Sequence, residues 1–208
     1  MNIYTKYVLP RLIDLAMRNK ASKAERLKLV PLATGKTLEV GIGSGLNIPL
    51  YSRNVTRLLG VDPSSELWKL APRRAEAAPF RIEFVKGSAE NLPLDDETVD
   101  TVVTTWTLCS IPDPALALSE MRRVLRPGGK LLFIEHGRSP DARVVRWQDR
   151  LNPLWRRLAG GCNLNRRIDD LITSSGFSMT EVQRGYAPGP KPLAYLYRGL
   201  AVPRREPQ

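Results

Sequence analysis

The chain is poor in the residues that stabilise small secreted domains or build metal centres. Its 208 residues include two cysteines, Cys109 and Cys162, and one histidine, His136. Two cysteines cannot form a disulfide framework, so a reducing cytoplasm is the expected compartment. No group of histidine, cysteine and aspartate stands at the spacings of metal ligands along the chain, and we expect no metal site.

Long apolar runs are also missing. No run approaches the roughly 20 residues that a membrane-spanning helix needs. The stretch 1–20 interleaves charged and apolar residues and lacks the apolar core of a signal peptide. With 42% hydrophobic residues, the chain is sufficient for one globular domain. We expect an N-terminal amphipathic helical segment over 1–34 and one domain over 35–203.

Alternating strand and helix patterns predict the fold. Strand patterns occupy 37–42, 57–62, 81–87, 99–106, 129–136, 178–186 and 193–202. Helical patterns occupy 64–78, 114–125 and "RRIDDLITSSG", which ends at Gly176. No helix fits between Tyr186 and Leu193, so the last two strands should form an antiparallel hairpin. This order predicts an α/β, Rossmann-like doubly wound fold, whose seven-stranded sheet is mostly parallel with an antiparallel C-terminal hairpin.

A glycine-rich stretch, "TLEVGIGSGLN", follows the first predicted strand. Its glycines stand at alternate positions: Gly41, Gly43 and Gly45. Glycine lets the backbone approach a ligand, but this spacing departs from the G-x-G-x-x-G of dinucleotide sites. Glu39 suits an ammonium group better than a diphosphate, and Asp62, which ends the second strand, can accept hydrogen bonds from both hydroxyls of a ribose. A ligand with a ribose, a cation and no phosphate fits best.

These features resemble the class I S-adenosylmethionine-dependent methyltransferases from about residue 35 to 200. The stretches that carry the resemblance are "EVGIGSG", "GVDPS", "GSAENLPLDDETVDTVV" and "LRPGGKLLFIEH". The resemblance implies S-adenosylmethionine as cofactor, bound by Glu39, Gly41, Gly43, Gly45, Asn47, Asp62, Pro63, Ser88, Ala89, Glu90 and Thr105. It places the glycines around the methionine and ribose part, Asp62 at the ribose and Thr105 near the methionine end. The segment 88–90 would lie by the adenine, the alternative being an ordinary strand-to-loop turn.

Three further stretches are similar to the methyltransferase-like thiol methyltransferases of animals and their bacterial relatives. They are "TLCSIPDP", "FIEHGR" and "WQDRLNPLWRRLAGGCNLNR". Members of that family methylate small thiols and sit on endoplasmic-reticulum or lipid-droplet membranes. The animal proteins begin with an apolar anchor, whereas this chain has a short amphipathic segment interrupted by Pro10. The resemblance implies methyl transfer to a small thiol or hydrosulfide.

Two other functions stay open. The segment "LPLDDETVD" is also typical of quinone and phospholipid methyltransferases. A basic membrane-surface protein that binds S-adenosylmethionine without turnover is the alternative outside enzymes. The expected location is the cytoplasm, with peripheral contact to an anionic membrane as an addition, and the sequence does not indicate an oligomeric state.

Positive charge is abundant and uneven. The net charge is +11, and the segment 138–167 carries eight arginines against two aspartates. Its apolar residues recur at steps of three and four, across an expected break at Pro153: Val144, Trp147, Leu151, Leu154 and Leu158. Such a basic amphipathic element can cover an active site or lie at a membrane surface. We favour a cover over the acceptor site, with membrane contact in addition. No nucleic-acid module is apparent, and we expect no nucleic-acid partner.

The candidate catalytic residues follow from the chemistry. A methyl group on a sulfonium is already activated, so alignment and exclusion of water supply most of the rate. A thiol acceptor needs only modest base assistance. His136 follows the fifth strand on the same edge as the glycine loop and is the leading base or thiol-orienting group, unless it is structural. Glu135 lies on the same edge of the sheet, and its role is likewise either catalytic or structural. Cys109 fits a small lining residue better than a nucleophile. A lid or acceptor pocket, or simple loop capping, is expected of three further residues: Cys162, Asn163 and Asn165.

Overall fold

A computed structural model describes residues 8–76 and 78–204. The strands are β1 Gly35–Val40, β2 Val55–Asp62, β3 Arg81–Lys86, β4 Val99–Thr105, β5 Leu125–His136, β6 Phe177–Tyr186 and β7 Tyr195–Pro203. The α-helices are α1 Leu9–Met17, α2 Lys20–Leu29, α3 Ser65–Trp68, α4 Pro72–Glu76, α5 Pro114–Val124, α6 Ala142–Leu158, α7 Ile168–Ser174 and α8 Lys191–Ala194. Short 3₁₀ turns occupy Val30–Leu32 and Ile48–Leu50.

The strands form one sheet in the order β3-β2-β1-β4-β5-β7-β6. The first five strands run parallel, and β7 lies antiparallel between β5 and β6. The prediction of a Rossmann-like, mostly parallel sheet with an antiparallel C-terminal hairpin is confirmed. The strand order reverses between β1 and β4, which is where doubly wound sheets bind ligands, at the carboxyl ends of the strands.

The sheet has apolar side chains on both faces, as a parallel sheet covered by helices requires. Along β5, Leu131 and Phe133 join one core cluster, while Leu132 and Ile134 join another. Because successive side chains of a strand point to opposite faces, these clusters are the two sides of the sheet. The first cluster includes Phe177 and residues of α5 and α7. The buried sheet therefore provides a fixed edge for the loops that follow β1, β2, β4 and β5.

Three helices differ from the sequence predictions, each at a proline. The helix predicted over 64–78 is two short helices, since Pro72 lacks an N–H and disfavours helix at the residue before it; Ala77 lies outside the described residues. Pro10 stands in the first turn of α1 and begins that helix rather than interrupting it, and residues 1–7 lie outside the described part. The expected break at Pro153 is wrong, because α6 continues through it.

Contacts before the proline explain why α6 stays continuous. Gln148 is buried, and its amide donates to the carbonyls of Gly137 (3.0 Å) and Pro192 (3.2 Å). Asn152 accepts from the backbone N–H of Leu164 at 2.8 Å. These bonds hold the first three turns against the domain, so the one intrahelical bond that proline removes does not end the helix. The connection from β6 to β7 also contains α8, which the sequence did not predict, and the hairpin nevertheless forms.

One buried carboxylate fixes the loop that follows β1. Glu39 Oε1 accepts from Asn47 Nδ2 and Glu39 Oε2 from the hydroxyl of Tyr51, both at 2.8 Å. Asn47 Nδ2 also donates to Thr105 Oγ1 on β4 at 3.0 Å. Burial raises the pKa of Glu39 to about 7, although the bonds from Tyr51 and Asn47 act to lower it. The bonds that Asn47 makes with Glu39 and Thr105 therefore connect the loop to both β1 and β4.

The raised pKa of Glu39 should make the unliganded protein less stable at alkaline pH. Since the folded pKa of about 7 lies above the ordinary 4.5, the stabilising contribution is present below pH 4.5 and is lost as pH rises through about 7. At about 1.4 kcal/mol per pKa unit, we expect the unfolding free energy to fall by about 2 kcal/mol between pH 5 and pH 8. Urea unfolding of Glu39→Gln should show a smaller fall. The exposed Glu181→Gln is the control, and an unchanged pH dependence in Glu39→Gln would contradict the assignment.

Candidate active site

A cavity of about 360 Å³ opens at the carboxyl ends of β1, β2 and β4. All the residues expected to bind the cofactor line it, with the exception of Gly45: Glu39, Gly41, Gly43, Asn47, Asp62, Pro63, Ser88, Ala89, Glu90 and Thr105. They come from four separate loops and strand ends. The structure therefore brings the sequence-predicted set together around one space.

The three loop glycines have positive φ but different reasons to be glycine. Their φ angles are +75° at Gly41, +52° at Gly43 and +74° at Gly45. A Cβ on Gly41 would collide with the side chain of Thr107, and one on Gly45 would lie 2.6 Å from Ile48 Cδ1. A Cβ on Gly43 would meet its nearest atom, Leu67 Cδ1, only at 3.7 Å. Packing requires the outer two glycines, whereas Gly43 leaves room for a ligand to approach the backbone.

Asp62 ends β2 and is 6% exposed. Its Oδ2 accepts from the N–H of Gly43 at 2.9 Å and its Oδ1 from that of Ser64 at 2.7 Å. Burial raises the pKa of Asp62, and these two backbone bonds act to lower it. A carboxylate has about four acceptor positions. Two therefore remain for a pair of hydroxyls, as the ribose expectation requires.

The segment 88–90 is both a turn and a wall of the cavity. The hydroxyl of Ser88 donates to Glu90, and Ser88 forms an isolated bridge with Asn91. Glu90 Oε1 accepts from the backbone N–H of Asp113 at 2.9 Å. The turn fixes two loops to each other and presents Ala89, which is buried, to the cavity. The two sequence interpretations of this segment are compatible.

Two cavity groups have no hydrogen-bond partner among the described residues. They are Asn47 Oδ1 and Arg26 Nε, both buried. Arg26 on α2 lies 4.6 Å over the ring of Trp106, and burial lowers its pKa to about 10 while Glu39 acts to raise it. An amino-acid group carries a carboxylate, which suits Arg26, and an ammonium, which suits Asn47 Oδ1 beside Glu39. The residues present therefore fit the methionine part of S-adenosylmethionine.

Arg26 is a cavity-lining candidate that the sequence interpretation missed. It is one of several cations in "KASKAERLKL", and only its position on the same helix face as the buried Leu29 sets it apart. Helical periodicity could have indicated an inward-facing side chain. It could not have indicated which cavity that side chain reaches, since this depends on how α2 docks.

Helix α1 contributes five residues to the lining of the cavity. Its contributions to the lining are Leu9, Pro10, Ile13, Asp14 and Met17. Asp14 accepts from Ser44 Oγ in the glycine loop at 2.5 Å and lies 3.4 Å from Arg74. Of the segment 138–167, expected as the cover, only Ala159 and Gly160 line the cavity. Helix α6 buries Val144 and Gln148 against the domain, and none of its residues lines the cavity.

The three candidate catalytic residues do not line the cavity. Glu135 is fully buried, and its oxygens accept from Thr104 Oγ1 (3.0 Å) and from the backbone N–H groups of Thr107 (3.0 Å) and Cys109 (3.2 Å). Burial raises the pKa of Glu135 to about 7. His136 is half-buried with its ring centroid 6.3 Å from that of Trp106, which does line the cavity. Glu135 therefore holds the loop after β4. The ring of Trp106 lies between His136 and the cavity.

Both cysteines belong to a cluster behind this wall. Cys109 Sγ and Cys162 Sγ are 3.5 Å apart, and with His136 they place one ligand atom each within 4.8 Å of the others. Their S–H···S contact raises the pKa of Cys109 and lowers that of Cys162, with burial opposing the second shift. The three residues are separated by 27 and 26 positions along the chain, so no local spacing indicated that they meet.

The asparagines of "GCNLNR" act as caps. The backbone N–H of Asn163 and its Nδ2 both donate to the carbonyl of Cys109, at 2.8 and 2.9 Å. Asn165 Nδ2 donates to Asp149 Oδ1 on α6 at 2.7 Å. The loop after α6 is therefore joined to the loop after β4, which places Cys162 against Cys109.

The sequence and the fold are both similar to those of known methyltransferases. A methyltransferase domain family matches residues 38–133. Thiol S-methyltransferase TMT1B of Homo sapiens is 34% identical over 203 residues, which cover 93% of this chain and 81% of that protein. The chain spans 63% to 81% of the length of the human and rodent thiol S-methyltransferases that it matches.

A lipid methyltransferase and a solved structure are similar as well. Phosphatidylethanolamine N-methyltransferase of Cereibacter sphaeroides is 41% identical over 106 residues, which cover 49% of this chain and 51% of that one. The crystal structure of an S-adenosylmethionine-dependent methyltransferase from Thermotoga maritima, described as a possible histamine N-methyltransferase, has a TM-score of 0.68 at 23% identity. The match covers 98% of this chain and 100% of that one. The glycine loop, the ribose acid and the unpaired groups at the methionine end agree with these likenesses. The chain is an S-adenosylmethionine-dependent methyltransferase and belongs to the family that includes human thiol S-methyltransferase TMT1B.

Proposed function

We propose that this enzyme transfers the methyl group of S-adenosylmethionine to the sulfur of a small thiol or hydrosulfide. The observation that carries the proposal is that every acidic side chain lining the cavity is already engaged. Asp14, Glu39, Asp62 and Glu90 each accept at least two hydrogen bonds or ion pairs. The described lining also contains no histidine. An acceptor must therefore ionise with little help, as a thiol does and an alcohol does not.

The described residues have clear tasks in such a reaction. The cofactor supplies a methyl group that its sulfonium already activates for displacement. Arg26 and Asn47 are placed to hold its amino-acid end, and Asp62 its ribose. Helix α1 limits the access of water to the cavity. Orientation and exclusion of water are the main contributions that this chemistry needs from a protein.

Replacing Asp62 should weaken cofactor binding. Asp62→Ala removes the acceptor for two hydroxyls, and hydrogen bonds to a charged group contribute about 1.5–3 kcal/mol each without full additivity. We expect a loss of roughly 2–4 kcal/mol in S-adenosylmethionine binding by calorimetry, with a smaller loss for Asp62→Asn. The control is Asp95→Ala, which removes an exposed acid. Unchanged affinity in a folded Asp62→Ala protein would exclude this residue from the site.

The rate should follow the ionisation of the acceptor itself. For alkyl thiols with different pKa values, S-adenosylhomocysteine release should rise with pH up to each thiol's own pKa, because the thiolate is the nucleophile. Alcohols of the same size should be almost inert, since they supply far too little anion. Quinones and phosphatidylethanolamine are assayed in parallel as alternative acceptors. Turnover of an alcohol, quinone or phospholipid at the thiol rate would overturn the proposed acceptor.

An exposed apolar face on α6 supports a peripheral membrane contact as a second part of the proposal. Trp147 is 55% exposed, Leu154 58% and Leu158 52%. Cations flank them on the same helix: Arg143, Arg146, Arg150, Arg156 and Arg157. No helix in the described part of the chain has the length and apolarity to cross a bilayer. Apolar side chains bordered by arginines suit the surface of an anionic membrane.

Binding to anionic vesicles should be reversible and sensitive to salt. Each basic residue near such a surface contributes about 1 kcal/mol, and salt screens this attraction. We expect co-sedimentation with vesicles of phosphatidylglycerol and phosphatidylcholine at low salt, and little with phosphatidylcholine alone. Leu154→Glu should weaken it, whereas Leu116→Glu on α5, where the leucine is 49% exposed, should not. Equal binding by both variants would show that α6 is not the contact.

A further inference from the structure

Cys109, His136 and Cys162 form a cluster that the methyltransferase chemistry above does not use. Both thiols are free and buried, and the histidine is half-buried at the end of β5. We propose that these three residues bind a zinc ion whose fourth ligand is the sulfur of the methyl acceptor. The second half of this proposal rests on the proposed thiol acceptor, and the zinc site itself does not.

The spacing of the donor atoms suits a tetrahedral ion. The two sulfurs lie 3.5 Å apart, and the three ligand atoms are within 4.8 Å of one another. Zn–S bonds of about 2.3 Å in a tetrahedron place two sulfurs about 3.8 Å apart, so the ion needs only a small adjustment. Two cysteines and one histidine, with the fourth position left open, make a donor set of catalytic rather than structural zinc sites.

The backbone that carries each of the three donors is held by separate bonds. The backbone N–H of Cys109 donates to Glu135 Oε2 at 3.2 Å, and Asn163 binds the carbonyl of the same cysteine. The N–H of Cys162 donates to the carbonyl of Ala159 at 3.3 Å. The backbone of His136 is fixed by the pairing of β5 with β7. Preorganised donors of this kind raise metal affinity, because little ordering remains for binding.

The surroundings also fit a metal with two thiolate ligands. Two thiolates balance the charge of a divalent ion, and the nearby Arg166 and Glu135 are of opposite sign. The guanidinium of Arg166 donates a hydrogen bond to the carbonyl of Leu108. The indole N–H of Trp155 is buried beside Cys162 and has no nitrogen or oxygen partner among the described residues. A metal-bound thiolate sulfur is an acceptor for such a donor.

The cluster lies directly behind the wall of the cofactor cavity. Ser110, which follows Cys109, lines that cavity, as does Gly160, two positions before Cys162. Trp106, the ring beside His136, also lines it. An open zinc position here is one side-chain layer from the end of the cavity that Arg26 and Asn47 assign to methionine. A thiol that binds the ion would be separated from the methionine end by the layer that Trp106, Ser110 and Gly160 form, so methyl transfer would require this layer to move aside.

Zinc would supply the nucleophile as a thiolate at neutral pH, so the dependence of the rate on the acceptor's own pKa described above would hold for the metal-free protein and be lost in the zinc-loaded protein. The acceptor thiol gives its proton to water when its sulfur coordinates the ion. A lone pair of that sulfur then forms the bond to the methyl carbon. The bond from that carbon to the sulfonium breaks, and its electron pair stays on the departing sulfur. With a thiol acceptor, both products have an uncharged thioether sulfur, and the methylated sulfur binds zinc more weakly than a thiolate and can leave.

Cobalt substitution tests the site without any assay of activity. Metal-free protein, reduced with a phosphine, should bind one Co²⁺ per chain with a sulfur-to-cobalt charge-transfer absorption in the near ultraviolet. With only two cysteines and one histidine in the sequence, this absorption has no other source. Cys109→Ser, Cys162→Ser and His136→Ala should each weaken binding by more than the roughly 10–100-fold that loss of an outer-shell partner costs.

The control is Ser110→Ala, which removes a hydroxyl 3.6 Å from Cys109 Sγ but no metal ligand and should keep the cobalt spectrum. Absence of the charge-transfer band in folded wild-type protein with two free thiols overturns the site. So does an unchanged spectrum in the cysteine variants. Because the first of these results needs no variant, a variant that fails to fold leaves the test intact.

A second measurement distinguishes the zinc site from the proposal that the methyl acceptor is a thiol. Added 2-mercaptoethanol should change the visible cobalt spectrum if its sulfur becomes the fourth ligand, and an unchanged spectrum overturns that role. Thiol methylation at the same rate with and without zinc overturns the part of zinc in the transfer while leaving the acceptor class standing. A zinc-loaded protein that methylates no thiol overturns the proposed acceptor but leaves the metal site supported.

Discussion

The carboxylate of Glu39 is the constraint on which the site depends. It is a buried acid at the end of a central strand, and its two oxygens hold Asn47 and Tyr51, which lie beyond the glycine loop. Without these bonds, a loop with three glycines would have many accessible conformations. The same bonds leave Asn47 Oδ1 unpaired in the cavity wall. One acid therefore both fixes the loop and orients an acceptor for the cofactor, at the cost of burying a group that prefers water.

Glu135 has the matching task beside the cluster of Cys109, His136 and Cys162. It stands at the end of β5, as Glu39 stands near the end of β1, and its oxygens accept bonds from the loop that follows β4. Asn163 then joins that loop to the one that follows α6. Glu135 and Asn163 together hold three segments that are distant in sequence: the end of β5, the loop after β4 and the loop after α6. The glycine loop and the loop that follows β4 are built alike, each around a buried carboxylate that anchors it.

The sequence predicted the features that depend on neighbouring residues. The glycine loop and Asp62 lie within one strand–loop–strand unit, so their roles could be inferred from spacing, and the sheet followed from the alternating patterns. Arg26 and the cluster around Cys109 could not be inferred, because they depend on how separate elements dock. Periodicity predicted an amphipathic α6, but it could not tell whether Trp147 and Leu154 face the domain or the solvent, and they face the solvent. The predicted break at Pro153 was wrong for the same reason, since tertiary contacts keep α6 continuous through this proline.

Helix α1 closes over the cavity, and this has a consequence for the catalytic cycle. The cofactor and its demethylated product have almost the same size, so both must pass the same cover in every turnover. A helix of nine residues is marginal on its own, and α1 is attached to the glycine loop largely through Asp14, a polar latch. Release of this latch would widen the cavity for the exchange of spent for fresh cofactor. The turnover number would be set by the opening rate of the N-terminal helix wherever methyl transfer itself is faster.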